Sequence, residues 1–170
     1  MRKQYFVGVG LEEKDDRLFS LVKRQFNAKG NLSSPAHISL TPPFEFFDEK
    51  ELIERLKNWA SKENGFEIKF EKVGRFIQPK YGTVFIYPEK AEIIKKLQNS
   101  LINNFKEIEQ IGEFVPHLTL AQRVDLDKVD KIKNEIEMMG LRLNLKVDRI
   151  FLYKKEKEEN WVKFEEFYLL

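Results

Sequence analysis

The chain has 170 residues, no cysteine, and 30 basic against 28 acidic side chains, a formal net charge of +2. This length fits one domain, or two small lobes sharing an apolar interior that the fifteen phenylalanines help to fill. Disulfides, thiolate chemistry and cysteine-bearing zinc sites are excluded, and no apolar run approaches the ~18 residues of a membrane span. The small net charge is not the signature of a general nucleic-acid binder, although it permits an anionic substrate. Met1 to Val7 is too short an apolar run for an export signal, so the expectation is a soluble, cytoplasmic protein with no membrane contact and no obligate protein partner.

Tyr5 to Leu11 reads as a strand ending in a glycine-bearing turn, and Asp15 and Asp16 open a helix with Leu18, Leu21, Val22 and Phe26 at helical spacing, running to about Ala28. Lys29 to Pro35 is a loop that delivers the chain into a strand around His37, after which Thr41-Pro42-Pro43-Phe44 turns. Asp48, with Glu51 three residues on, caps a second helix striped by Leu52, Ile53, Leu56, Trp59 and Ala60 and ending near Lys62. Phe66, Ile68 and Phe70 alternate with charged residues and the phase slips near Val73, which predicts a bulged strand to Ile77, followed by a turn over Gln78 to Gly82.

The second half repeats this order. Thr83 to Tyr87 is a strand, Ile93 to Phe105 a helix, and a loop with Gly112 and Pro116 leads into a strand at His117. Asp125 is placed to cap the next helix, striped by Val129, Ile132, Ile136 and Met139 and stopped by Gly140. Leu141 to Leu152 reads as one long strand with a phase slip at Asp148 and Arg149. Lys154 to Asn160 is an exposed hairpin loop, and Trp161 to Leu169 is the last strand. The two histidines lie 80 residues apart at matching places in this order, which indicates a degenerate internal duplication. A pseudo-twofold arrangement of the halves, about 1–80 and 81–170, places the two histidine faces on opposite walls of a central cleft.

His37 and His117 are the chain's only histidines, and each precedes a hydroxyl by two residues, in Ala36-His37-Ile38-Ser39-Leu40 and Pro116-His117-Leu118-Thr119-Leu120. With six serines and three threonines in the chain, chance produces both pairings roughly once in several hundred. In a strand, residues two apart share a face, so each imidazole stands beside its hydroxyl while Ile38, Leu40, Leu118 and Leu120 point the other way. Two imidazoles across a phosphodiester can act as general base and general acid near neutral pH, and Ser39 and Thr119 can donate hydrogen bonds to its non-bridging oxygens. The scheme requires no metal and no cofactor. A metal site is the weaker alternative, because two lone histidines make a poor ligand set.

The tetrapeptides His37-Ile38-Ser39-Leu40 and His117-Leu118-Thr119-Leu120, with Pro42-Pro43-Phe44 and Ala121-Gln122-Arg123 after them, resemble the 2H phosphoesterase superfamily and its 2′-5′ RNA ligase-like (LigT-like) cyclic phosphodiesterases. The resemblance covers essentially the whole chain. It implies an α+β, bilobal fold in which two antiparallel sheets face each other across a cleft with helices packed outside. It also implies a catalytic pair His37 and His117, phosphate ligands Ser39 and Thr119, no metal, and an RNA end or small cyclic nucleotide as substrate. The reaction implied is opening of a 2′,3′-cyclic phosphate, with the reverse 2′-5′ joining open to the same pair; the alternative is a non-catalytic RNA- or nucleotide-binding module with the same cleft. Many relatives have arginine five residues after the second histidine, where this chain has Gln122, with Arg123 one place later. Arg123, Phe44 and Tyr81 are further candidate substrate contacts, and Arg75 and Lys80 are cations near a loop that could meet phosphate.

Overall fold

Tyr5, Val7 and Val9 are fully buried in the main core, whereas Phe6 belongs to a separate apolar cluster with Phe151 and Tyr153. Alternation along one strand therefore serves two faces, one packed on helices and one carrying the small aromatic cluster. The computed structural model describes residues 3–26, 34–155 and 160–170. In chain order its elements are β1 (Lys3–Gly10), α1 (Glu13–Phe26), β2 (His37–Ser39), β3 (Phe44–Phe46), α2 (Glu49–Ala60), β4 (Phe66–Ile77), β5 (Gly82–Pro88), α3 (Glu92–Asn104), β6 (Leu118–Val124), α4 (Val129–Met138), β7 (Leu143–Val147), β8 (Arg149–Lys155) and β9 (Trp161–Tyr168). The expected helix end at Ala28, residues 29–33 of the following loop and residues 156–159 of the hairpin loop lie outside the described residues.

The α+β class is as expected, but the two sheets are one. The strand order is β7-β4-β5-β6-β2-β1-β8-β9, with β3 paired to β1, and every pairing is antiparallel. The halves join through β2 and β6, where Ile38 is registered with Leu118. Two short strands that would each leave an unpaired edge satisfy their backbone groups by pairing with one another. The predicted single strand from Leu141 to Leu152 breaks at Asp148: β7 pairs with β4 at one end of the sheet and β8 with β1 toward the other. One residue spans only ~3.3 Å of strand, so the sheet curls to bring the start of β8 close to the end of β7. Leu170, after β9, is tied to the loop between α2 and β4, its N donating to Glu63 O at 2.7 Å and its O accepting from Gly65 N at 2.9 Å.

Local chemistry accounts for the element ends. Asp48 caps α2, its Oδ1 accepting from Lys50 N and Glu51 N at 3.0 and 3.2 Å, as the sequence predicts. Gly140 takes φ +61° just past α4, the left-handed turn that ends a helix at little cost only in glycine. Asp125 does not cap α4; its carbonyl accepts from Lys128 N in a turn, and the helix starts after Lys128 with no side-chain cap. The residues read as a glycine-bearing turn, Gly8 and Gly10, lie within β1, and the turn expected at Phe44 instead contributes the short strand β3. Glu49 ties α2 to the sheet through Tyr5 Oη at 2.6 Å and Lys154 Nζ at 2.7 Å, and these partners hold its carboxyl down to about 2 against the cost of burial.

Candidate active site

The β2–β6 register fixes the geometry of the two motifs. Ile38 is opposite Leu118 in an antiparallel pair, so one residue either way His37 faces Thr119 and Ser39 faces His117, all four on the face away from the helices. Directly opposed residues have Cβ atoms ~5 Å apart and diagonal ones ~7–8 Å, so the two imidazoles sit at opposite corners of a square with a hydroxyl at each of the others. This corrects the expected placement: the histidines stand on adjacent strands of one continuous floor, not on facing sheets.

Each ring is oriented by its own chain. His37 Nδ1 donates to Pro35 O and His117 Nδ1 to Val115 O, both at 2.7 Å. A carbonyl can only accept, so Nδ1 carries the proton in the neutral ring and Nε2 is left with its lone pair. Ser39 Oγ lies 3.1 Å from His37 Nε2 and donates to it. Aromatic rings frame both imidazoles: Phe6 and Tyr153 lie 4.8 and 5.3 Å from His37 between ring centres, and Phe85 and Phe76 lie 4.9 and 5.1 Å from His117.

This apolar framing disfavours the imidazolium. The His37 pKa is pushed down to about 4, chiefly by burial, with the positive charges of Lys23, His117 and Lys163 adding to the effect and the Pro35 carbonyl opposing it. His117 is lowered too, by burial against the Val115 carbonyl bond. The unfolded chain binds the His37 proton near ~6.5 and the folded chain only near 4, so the stability this ring confers is complete above 6.5 and is lost as pH falls toward 4. Urea unfolding is expected to show a loss of about 2 kcal/mol from this ring between about pH 7 and pH 5, and His37→Gln to remove that share while leaving the share of His117, which is lowered in the same direction. Glu49, held near 2, loses its contribution only below its ordinary value of 4.5, so it does not mask this window.

A cavity of about 350 Å³ opens on His117 and Ser39, walled by the Thr41–Pro43 turn on one side and by Gln110, Glu113 and Phe114 on the other. That volume lies in the range of small-ligand sites. The turn is pinned by Thr41, whose Oγ1 accepts from Val7 N at 3.0 Å while Val7 O accepts from both Leu40 N and Thr41 N. The opposite loop is tied to α3 through Gln98 Nε2 donating to Gln110 Oε1 at 2.9 Å and Lys95 pairing with Glu113 at 3.1 Å.

The other sequence candidates are placed elsewhere. Phe44 is buried in the main core, its ring 6.2 Å from Tyr5, and so is not presented to a ligand. Tyr81 is exposed on the β4–β5 turn and does not line the cavity. Arg75 is engaged by Asp130 of α4. Arg123 is exposed near the end of β6 with φ +51°, beyond two register shifts against β5 that break the alternation leading from His117. Sequence reasoning missed the framing aromatics Phe6, Tyr153, Phe76 and Phe85. For Phe6 and Tyr153 the available signal was Gly8, and for Phe85 it was Gly74, since glycine inside a strand marks a close approach by other groups. Among the described residues no group of three or more His, Asp or Glu side chains is arranged to hold a metal ion, and no helix is long and apolar enough to cross a membrane.

Residues 13–159 match the family model of the 2′-5′ RNA ligase superfamily. The chain belongs to that superfamily. Its membership agrees with the resemblance carried by the two His-x-hydroxyl tetrapeptides. A provisionally named phosphoesterase of Oceanobacillus iheyensis is 30% identical over 137 residues, covering 79% of this chain and 80% of that protein. A protein of the same provisional name from Bacillus cytotoxicus is also 30% identical, covering 79% of each chain. Among solved structures, E. coli LigT complexed with 3′-AMP aligns with a TM-score of 0.71 at 13% identity over 99% of both chains. TT0787 of Thermus thermophilus aligns at 0.67 and 21% identity, over 99% of this chain and 98% of that one. These two alignments establish the shared fold of the superfamily member.

Proposed function

We propose that this superfamily member is a cyclic phosphodiesterase that opens RNA or nucleotide 2′,3′-cyclic phosphates with His37 and His117 as the acid/base pair. The observation supporting this reading is the β2–β6 register, which brings the two imidazoles and the two hydroxyls onto one face of the sheet. His37, the more strongly depressed of the two, is the base: its Nε2 takes a proton from water as the oxygen attacks phosphorus. His117, protonated, passes its proton to the departing ribose oxygen, and Ser39 and Thr119 donate to the non-bridging oxygens. Neither step calls for a metal. The same pair in reverse serves 2′-5′ joining. The names of the relatives and the 3′-AMP complex of the structural neighbour support this class of substrate.

The test is incubation with the four nucleoside 2′,3′-cyclic phosphates and a short RNA ending in one, with 2′- and 3′-phosphate products resolved by chromatography. Ring opening is expected; tight binding of these compounds with no product would favour the non-catalytic module. The pH dependence of kcat/KM, which reports the free protein, is expected to be a bell. Its acid limb follows His37 near about 4 and its alkaline limb follows His117 below 6.5. The optimum is therefore mildly acidic, and an optimum on the alkaline side of neutrality would contradict the assignment.

A further inference from the structure

Lys163 stands opposite Tyr153 in the β8–β9 ladder and so shares the face that carries His37. Its ammonium crosses two strands. Nζ sits 4.6 Å above the Phe151 ring and 3.0 Å from the point a Cβ on Gly10 would occupy. Gly10 is the residue registered with His37, so the missing side chain leaves the space through which this cation reaches the motif. Any side chain at position 10 would also meet Phe151 at 2.8 Å. The residue is exposed, and among the described residues it is in no ion pair. Lys23, the other lysine acting on His37, is buried with Nζ bonded to Ser34 O at 3.1 Å.

Position decides what Lys163 can serve. β1 flanks β2 on the side away from β6, which puts the ammonium about one strand spacing, ~5 Å, beyond the His37 strand and away from His117. A phosphate held between the two imidazoles lies on the other side of His37 and is not the group this cation meets. We propose that Lys163 binds a second phosphate carried on the 5′ side of the same ribose, so that the preferred substrate is a cyclic phosphate bearing either a 5′-phosphomonoester or the diester to a preceding nucleotide. The proposal rests on the cyclic-phosphate reading above.

Binding to the opened products separates the two. Calorimetry on the wild type and Lys163→Met would use adenosine 3′-monophosphate, adenosine 3′,5′-bisphosphate and a dinucleotide with a terminal 3′-phosphate. The wild type is expected to bind one or both of the ligands with a second phosphate about tenfold more tightly than the monophosphate, as one charge-assisted contact allows. The ratio should fall to about one in Lys163→Met, and in the wild type it should shrink with added salt. Which ligand is preferred identifies the monoester or the diester. Because the readout is a ratio, any effect of the lost charge on His37 cancels. Equal binding of all three ligands, or a preference that survives in Lys163→Met, would overturn the assignment of Lys163. Parallel turnover assays on the corresponding cyclic phosphates report on the catalytic reading separately: with no turnover of any of them the phosphodiesterase fails, while the binding ratios still judge Lys163.

Discussion

His37→Ala and His117→Ala are each expected to lower kcat/KM for a nucleoside 2′,3′-cyclic phosphate by about 10² to 10⁴, the usual worth of a positioned acid or base. The reason is specific to this geometry. Each Nδ1 is committed to a carbonyl two residues back, so each ring offers one nitrogen, and no third imidazole exists in the chain to replace it. The double variant should lose much less than the product of the single losses, because one transition state uses both groups. The pH profiles carry the role assignment: His37→Ala should abolish the acid limb and leave the alkaline one, and His117→Ala the converse. Single-variant turnover within a few-fold of wild type would remove the acid/base mechanism, provided circular dichroism shows the fold retained.

Ser39→Ala and Thr119→Ala form the second large effect, on the order of 10² each in kcat, since a donor aimed at developing charge on phosphate oxygens acts mainly in the transition state. Thr119 faces His37 across the β2–β6 pair and Ser39 faces His117, so each hydroxyl removed leaves one corner of the square without a donor. Ser39→Thr and Thr119→Ser keep the hydroxyl and are expected to stay within about tenfold of wild type. Ser39→Ala has a further signature, because its hydroxyl is the group bonded to His37 Nε2. The acid limb should move in that variant and stay in place in Thr119→Ala. Losses confined to KM in both would mean that the hydroxyls bind the ground state and do not stabilise the reaction.

The legible parts were those written in local periodicity. Asp48 and Gly140 end helices through their own side-chain and backbone chemistry. The slip near Val73 is a real register shift, between Phe70 and Lys72. The His-x-hydroxyl spacing was readable because a strand has a period of two, so both pairs had to share faces. Asp125 misled because a capping residue and a turn residue look alike in sequence; its side chain takes Lys128 Nζ at 2.7 Å and the helix begins later. Phe44 is a candidate contact in the sequence because it falls in a turn, yet its apolar ring finds the core, as most phenylalanines do.

By itself, then, the sequence determined the α+β alternation and the two matched His-x-hydroxyl motifs, both consequences of neighbours a few residues apart. Only the tertiary structure decided that β2 and β6 pair directly, that the sheet curls from β7 round to β8, and that Lys163 passes over Gly10 to reach the His37 motif. These are contacts between residues tens of positions apart along the chain. They are selected by which strand edges and vacant spaces remain once every local element has formed, and no short window of sequence contains that choice.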